Sequence, residues 1–140
     1  MIYGDNMELE ELVEAIKEPL KSNGFKKRNT NWYKIGNDLT IVFNIQKSQY
    51  GDDTWYYNFG IGINELETKP ITTIARCHIT DRIDSMINGK EIAPNVLLKA
   101  ILSWESKYGK LSDLRIKAIE NNLPKMTTRQ AISYLTTIRF

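Results

Sequence analysis

The side chains that could carry chemistry are few. The chain has one cysteine and one histidine, Cys77 and His78, and they are adjacent. Neighbouring residues of a β-strand point to opposite faces of the sheet, so a strand here would separate the thiol from the imidazole. A catalytic nucleophile and its base must lie within hydrogen-bond reach of each other. We therefore predict that Cys77 is a small buried residue, that His78 is a polar residue on an open sheet face, and that neither is catalytic.

Signatures of catalysis are absent from the rest of the sequence. It contains no glycine-rich phosphate loop, no HExxH motif and no GxSxG motif. A zinc site would have to depend on carboxylates, and the adjacent Asp52 and Asp53 are typical of a hairpin turn. The sequence therefore predicts no catalytic residue, no metal and no cofactor, and it favours a non-enzymatic function over an enzymatic one.

Polar residues that alternate along the predicted strands would share one face of a sheet. Gly60 and Gly62 lie on that face and would leave a shallow floor that a ligand or another backbone could approach. Amides and arginines near aromatic residues are typical of a protein-binding patch, although a solvated antiparallel face has a similar composition. If the protein is an enzyme, this face is the alternative place for its site. We call the following residues the polar sheet face: Asn44, Gln46, Ser48, Asn58, Arg76, His78 and Arg82.

A β-hairpin must position most of these residues. The segments 39–49 and 55–63 both alternate apolar and polar side chains, and a turn signal separates them. Because the apolar residues of both segments are nearly all odd-numbered, only a register that pairs odd with odd residues puts them on one face. We predict that Ile45 lies opposite Phe59 and that residues 50–54 form the turn. Tyr50, Trp55 and Tyr56 at this end are candidate binding anchors, because aromatic residues dominate interface hot spots.

The first helix is predicted to begin near Met7, with Asp5 or Asn6 as its cap, and to end at Gly24 in a left-handed conformation. Glu10, Glu14 and other glutamates lie outside its apolar stripe, so the helix has an acidic outer face. This face is either solvated or opposite a protein partner with a basic surface. The apolar stripe consists of Leu9, Leu12, Val13, Ile16 and Leu20.

A basic segment follows. Residues 26–34 contain four cations and no acid, and Trp32 and Tyr33 could stack on nucleic-acid bases. A net charge of +2 is too small to favour nucleic acid over an ordinary charged surface. Residues 32–35 are predicted to form a strand that ends in the turn Gly36-Asn37-Asp38.

The rest of the chain predicts one more strand and three helices. Alternation favours a strand over residues 74–83, and the apolar spacing from Pro94 to Gly109 favours a helix. Ser112 is the predicted cap of a short helix that carries Leu114, Ala118 and Ile119. Thr127 is the predicted cap of a last helix with Ile132, Leu135 and Ile138 inward. The predicted fold is α+β, with an N-terminal helix, a four-stranded antiparallel sheet around the hairpin 39–49/55–63, and C-terminal helices.

The bulk properties predict one domain that includes all of residues 1–140. A single cysteine fits a reducing compartment. The sequence has no secretory signal pattern and no apolar run long enough for a bilayer, so we expect a cytoplasmic protein with no membrane partner.

Several motifs in their order along the chain are similar to a bacterial domain-of-unknown-function family, number 4304. They are NGFKKR at 23–28, NWYK at 31–34, FNIQKSQ at 43–49, YNFGIGI at 57–63 and CxxxxRI at 77–83. The family-like core covers about residues 8–83, and a helical part follows at about 94–139. The resemblance implies an α+β domain with no established reaction, and it implies an immunity protein, or antidote, that neutralises a secreted bacterial toxin.

These observations together favour a non-enzymatic protein-binding domain, and an enzyme or a nucleic-acid-binding domain is the alternative. The residues expected to contact a protein partner are Glu10, Glu14, Tyr50, Trp55 and Tyr56.

Overall fold

The computed structural model describes residues 5–48, 54–87 and 90–137, without the side chains of residues 5–8, 86, 87 and 90. Four helices lie in this part of the chain: α1 (Asp5–Ser22), α2 (Pro94–Tyr108), α3 (Leu111–Ile119) and α4 (Arg129–Thr136). The strands are β1 (Lys26–Arg28), β2 (Asn31–Ile35), β3 (Leu39–Lys47), β4 (Trp55–Ile63), β5 (Ile79–Asp84), β6 (Met86–Ile87), β7 (Lys90–Glu91) and β8 (Met126–Thr127).

The α+β class is confirmed, but the main sheet is larger than predicted. Six strands form it in the order β1-β2-β3-β4-β5-β8, and every neighbouring pair is antiparallel. The prediction of four strands was wrong because β1 and β8 have only three and two residues, too few to show an alternating pattern. A separate two-stranded ribbon contains β6 and β7.

The central hairpin has the predicted parity and a different register. Odd-numbered residues of β3 do pair with odd-numbered residues of β4. Ile45, however, lies opposite Tyr57, and Phe59 lies opposite Phe43, so the predicted pair was wrong by two residues. Side-chain periodicity fixes which face is buried, but the turn selects among the registers that share this parity.

The core lies between the sheet and the helices. Leu12, Ile16 and Leu20 of α1 are buried, as the apolar stripe predicts. The ring of Trp104 on α2 packs on Phe59, with 5.9 Å between ring centroids. Both helices therefore cover the face of the sheet that carries the odd-numbered residues of β3 and β4.

The chain itself covers part of the other face. A methyl group at Gly62 would lie 2.5 Å from Cδ1 of Ile71, and one at Gly60 would lie 2.7 Å from Sγ of Cys77. The floor predicted at these glycines is therefore filled by the segment that joins β4 to β5. Residues 74–76 of this segment form one turn of 3-10 helix, so the strand predicted over 74–83 begins only at Ile79.

The C-terminus of α1 has the predicted geometry. Gly24 has a φ of +90°, its N–H donates to the carbonyl of Lys21, and the N–H of Phe25 donates to the carbonyl of Leu20. These two bonds form a Schellman motif, which satisfies carbonyls that the helix leaves unpaired.

Replacing Gly24 with valine is expected to lower the free energy of unfolding by about 1–2 kcal/mol, because a β-branched side chain disfavours a positive φ. Urea titration of the two proteins measures this loss. Gly24→Asn is the matched control and should lose less, since asparagine tolerates the left-handed region. An unchanged midpoint for the valine variant would contradict the role of this glycine.

Details of the C-terminal helices differ from prediction. α2 ends next to Gly109 as predicted, but α3 begins at Leu111, so Ser112 lies inside the helix and is not its cap. The cap of α4 is Thr128 rather than Thr127, and its side chain accepts from the N–H of Ala131 at 3.1 Å. Of the inward positions predicted for the last helix, Leu135 is buried, Ile132 is exposed, and Ile138 lies outside the described residues. On α3, Leu114 is buried and Ile119 is exposed.

Candidate functional site

A ladder of polar side chains crosses four strands on the sheet face that carries the glycines. Asn31, Asn44, Asn58 and Arg82 are successive cross-strand partners on β2, β3, β4 and β5. The three asparagines are 8%, 6% and 6% exposed. Buried amides of this kind are costly unless their hydrogen bonds are satisfied, so their partners matter.

Hydrogen bonds connect the whole ladder. Nδ2 of Asn44 donates to Oδ1 of Asn31 at 3.1 Å, and Nδ2 of Asn58 donates to Oδ1 of Asn44 at 2.9 Å. Nε of Arg82 donates to Oδ1 of Asn58 at 3.0 Å. At the other end, Oδ1 of Asn31 accepts from the backbone N–H of Ile74 at 3.0 Å. The ladder therefore ties four strands to the segment that covers the sheet.

Arg82 and Gln46 form the exposed end of the ladder. Oε1 of Gln46 accepts from Arg82 at 3.0 Å and from Nδ2 of Asn58 at 3.1 Å. The guanidinium lies over the ring of Tyr56, 4.9 Å from its centroid. The prediction that Gln46, Asn58 and Arg82 lie together on one face agrees with these contacts.

His78 lies elsewhere and is buried, so its predicted place on an open sheet face was wrong. Its Nδ1 accepts from the backbone N–H of Ile63 at 2.9 Å, and its Nε2 lies 3.4 Å from Oε2 of Glu67. Because Nδ1 is an acceptor, the proton of the neutral ring is on Nε2, where it can be donated to Glu67. Arg76 also departs from the polar sheet face and donates to Oε1 of Glu67 at 2.9 Å.

The polar atoms of this cluster contact one another and the backbone. A general base needs a free nitrogen within reach of a substrate proton, and both ring nitrogens of His78 are occupied. The hydrogen bond from Arg76 is the main cause that lowers the pKa of Glu67. Glu67 was not identified from the sequence, because it lies in a loop and carries no local signal.

The pKa of Glu67 makes stability depend on pH. A lowered pKa in the folded state means that the carboxylate stabilises the fold at pH values above its ordinary pKa of 4.5 and that this contribution is lost as the pH falls further. Glu67→Gln should therefore have a lower thermal midpoint than wild type at pH 7, and the two midpoints should converge below about pH 4.5. Thermal unfolding over a pH series tests this. Glu120→Gln is the control for an exposed carboxylate, and a gap that stays constant with pH would contradict the linkage.

Cys77 is no more available for chemistry than His78. Burial raises the pKa of its thiol to about 12, and Sγ lies 3.6 Å from the carbonyl oxygen of Thr73. The thiolate is the reactive form of cysteine, so this thiol is a poor nucleophile at neutral pH. The residue packs against Gly60 but is only half-buried, so the prediction of a small packed residue holds and that of full burial does not.

The residues expected to contact a protein partner differ in how exposed they are. Trp55 is only 4% exposed and donates from Nε1 to the hydroxyl of Tyr57 at 2.9 Å, so it belongs to the core and is not an exposed anchor. Tyr56 is half-buried, whereas Glu10 and Glu14 are exposed on α1. Ser48 is half-buried, and Tyr50, Asp52 and Asp53 lie outside the described residues.

One groove lies near the ladder. It has a volume of about 540 Å³ and lies between the first half of α1 and the ends of β2 and β3. We call it the α1 groove. Residues that line it are Leu9, Val13, Lys27, Asn29, Thr30, Trp32, Asn44, Ile45, Gln46, Lys47 and Ile74.

The fold is an α+β domain, and its site contains a ladder of connected amides beside a cluster of Glu67, Arg76 and His78. Among the described residues, no group of three or more His, Cys, Asp or Glu side chains is placed to hold a metal ion. No helix in the described ranges is both long enough and apolar enough to cross a membrane.

The domain of unknown function DUF4304 matches residues 16–125, and the chain belongs to this family. No curated protein and no solved structure matches the chain.

Proposed function

We propose that this domain binds a protein partner and does not catalyse a reaction. The partner is a secreted bacterial toxin with a basic surface, which the domain neutralises as an immunity protein in the cytoplasm. The acidic outer face of α1 carries this proposal.

Three carboxylates form a row on that face. Glu10, Glu14 and Glu18 are all exposed and are spaced four residues apart, so they are neighbours along the helix. No ion pair to them occurs among the described residues. Like charges at this spacing weaken a helix, and a cationic partner would relieve the repulsion.

The alternative functions have less support. The two groups that could start an enzymatic reaction, His78 and Cys77, are held by structural contacts. Of the two residues expected to stack on nucleic-acid bases, Trp32 is only 3% exposed and Tyr33 is half-buried. Lys26, Lys27 and Arg28 stay exposed on β1, which is an edge strand, and lysine and arginine there also prevent pairing with other sheets.

The experiment is co-expression of this chain with the product of the neighbouring gene, followed by stopped-flow measurement of association. Glu10→Lys/Glu14→Lys should reduce the association rate constant by about tenfold or more at low salt, because opposite charges steer the encounter. The difference should shrink as salt is added, because salt screens charges on exposed residues.

Glu91→Lys/Glu120→Lys is the matched control, since it changes the net charge equally at exposed positions away from α1. The control should keep most of the wild-type rate. If no complex forms, or if both double variants slow association equally, the acidic row is not the docking surface.

A further inference from the structure

The strand β5 has an open outer edge. β8 pairs only with Ile79 and Thr80, and no strand among the described residues pairs with residues 81–84 on that side. We propose that this open edge is a dimerisation surface, on which residues 81–84 pair antiparallel with the same residues of a second copy of the chain. The surface is separate from the acidic row on α1 and does not depend on the proposed toxin partner.

A hydrogen bond at the end of β5 shows which backbone groups point outward. The N–H of Ser85 donates to the carbonyl of Trp55 on β4 at 3.0 Å. Bonds to one neighbour come from every second residue of an antiparallel strand, so the odd-numbered residues of β5 bond with β4. Arg82 and Asp84 therefore direct their backbone N–H and carbonyl groups toward the open edge, and both residues are exposed.

The side chains on this edge select one register with a second copy. Residues that exchange backbone bonds must both point outward, so even-numbered residues pair with even-numbered ones, and Thr80 is already paired with β8. Pairing Arg82 with Arg82, or Asp84 with Asp84, would oppose like charges, which is destabilising. Pairing Arg82 with Asp84 of the second copy opposes unlike charges, and a twofold axis forms this pair twice. The edge is therefore complementary in charge to itself.

The two charged side chains are placed for this pair. Arg82 is held on the sheet face that carries the glycines, because Nε donates to Asn58 and Nη2 donates to Gln46, both at 3.0 Å. Asp84 lies two residues further along the strand, so its side chain points to the same face. No ion pair to Asp84 occurs among the described residues. A guanidinium that is already held in position loses little freedom when a carboxylate binds to it.

Ile83 adds an apolar contact at the centre of this register. It lies opposite Ile83 of the second copy in a pair without hydrogen bonds, where Cα atoms are about 4.5 Å apart and side chains are close. Ile83 is half-buried and lines a groove of about 260 Å³ between β5 and α2, together with Phe59 and Trp104. The second Ile83 would bury apolar surface beside this groove.

Asp81 opposes the pairing. Its Oδ1 accepts from the backbone N–H of Arg82 at 2.8 Å, and the second copy needs this N–H. Charged side chains that block an edge are a common protection of open sheets. Asp81 must turn away before the dimer forms, and the shared area is small, so we expect a dissociation constant on the order of 100 µM.

Sedimentation of the purified chain over a range of concentrations measures the dimer. Asp81→Val should lower the dissociation constant by about tenfold or more, since it releases one N–H on each chain. Asp84→Arg should abolish the dimer, because it places arginines opposite each other. Asp38→Arg is the matched control and should leave the dimer unchanged. It makes the same change of charge at an exposed residue beside β3, at the other end of the sheet.

A mixture of two variants tests the register itself. Arg82→Glu, like Asp84→Arg, opposes like charges in its own homodimer, so each variant alone should be monomeric. The mixture restores both unlike pairs, so a heterodimer should form. Native mass spectrometry detects it when one of the two chains is isotope-labelled. Circular dichroism checks that Arg82→Glu folds, and if it does not, the comparison of Asp84→Arg with Asp38→Arg decides.

The proposal stands if Asp81→Val strengthens the dimer, if Asp84→Arg but not Asp38→Arg abolishes it, and if its formation shifts the amides of residues 81–84 in two-dimensional NMR. It is overturned if wild type and Asp81→Val both stay monomeric at about 1 mM. Equal effects of Asp84→Arg and Asp38→Arg, or a mixture that associates no better than its components, would also overturn it. Amide shifts confined to α1 and β1 would instead indicate contact between the acidic and the basic surfaces and would contradict pairing through β5.

Discussion

Asn58→Leu should lower the free energy of unfolding by about 2–4 kcal/mol, the largest loss that we expect from a single polar side chain. Three groups lose a hydrogen bond to Asn58 in this variant, and Oε1 of Gln46 is the one that keeps another donor, Arg82. Oδ1 of Asn44 is buried and has no other donor among the described residues, and Nε of Arg82 loses the oxygen that it contacts at 3.0 Å. Leaving a buried polar atom unsatisfied costs more than the intact bond contributes. Denaturant titration followed by circular dichroism measures the loss.

A double-mutant cycle separates this mechanism from a simple change of packing. Asn44→Leu/Asn58→Leu removes both partners of the central bond, so it should cost less than the two single variants added together, by about 0.5–3 kcal/mol. Strict additivity would show that the two amides act independently. The ladder would then not be a connected network.

The second large effect concerns the glycine floor. Gly62→Ala should destabilise the fold by about 1–3 kcal/mol, because the added methyl group overlaps the side chain of Ile71 in a packed interior. The new carbon would lie 2.5 Å from Cδ1 and 2.9 Å from Cγ2 of Ile71. Ile71 is 1% exposed, so it has little room to move away. Thermal and urea unfolding of the purified variant measure the loss.

Ile71→Ala provides the test of cause. This change alone should cost about 2–5 kcal/mol, because it leaves a cavity. It also removes the two carbons nearest to position 62, so adding Gly62→Ala to it should cost little more or even restore stability. If the effect of Gly62→Ala is the same in both backgrounds, the loss does not arise from contact with Ile71.

Both predictions concern the sheet face that carries the glycines, and the chain itself covers part of this face. The segment 71–77 fills the end with the glycines, and the ladder extends toward the end with Arg82 and Tyr56.

The amino-acid sequence by itself determined the elements whose signals are local. Alternation over 39–47 and 55–63 determined the two central strands and the parity of their pairing, because side-chain direction on a strand has a period of two. Apolar spacing determined α1 and α2. Gly24 determined the end of α1, because few other residues adopt its φ of +90°.

The tertiary structure alone decided which residues contact one another at long range and which residues pair across the strands. Glu67 and His78 contact each other across a loop, and Asn31 reaches Ile74 over 43 residues, so no local pattern reports either contact. Ile45 lies opposite Tyr57 in one of several registers that bury the same face, and the period of two does not distinguish among these registers. Trp55 lies in the core because the odd-numbered positions of the central hairpin face the helices. Its aromatic character alone could not distinguish a core residue from an exposed anchor.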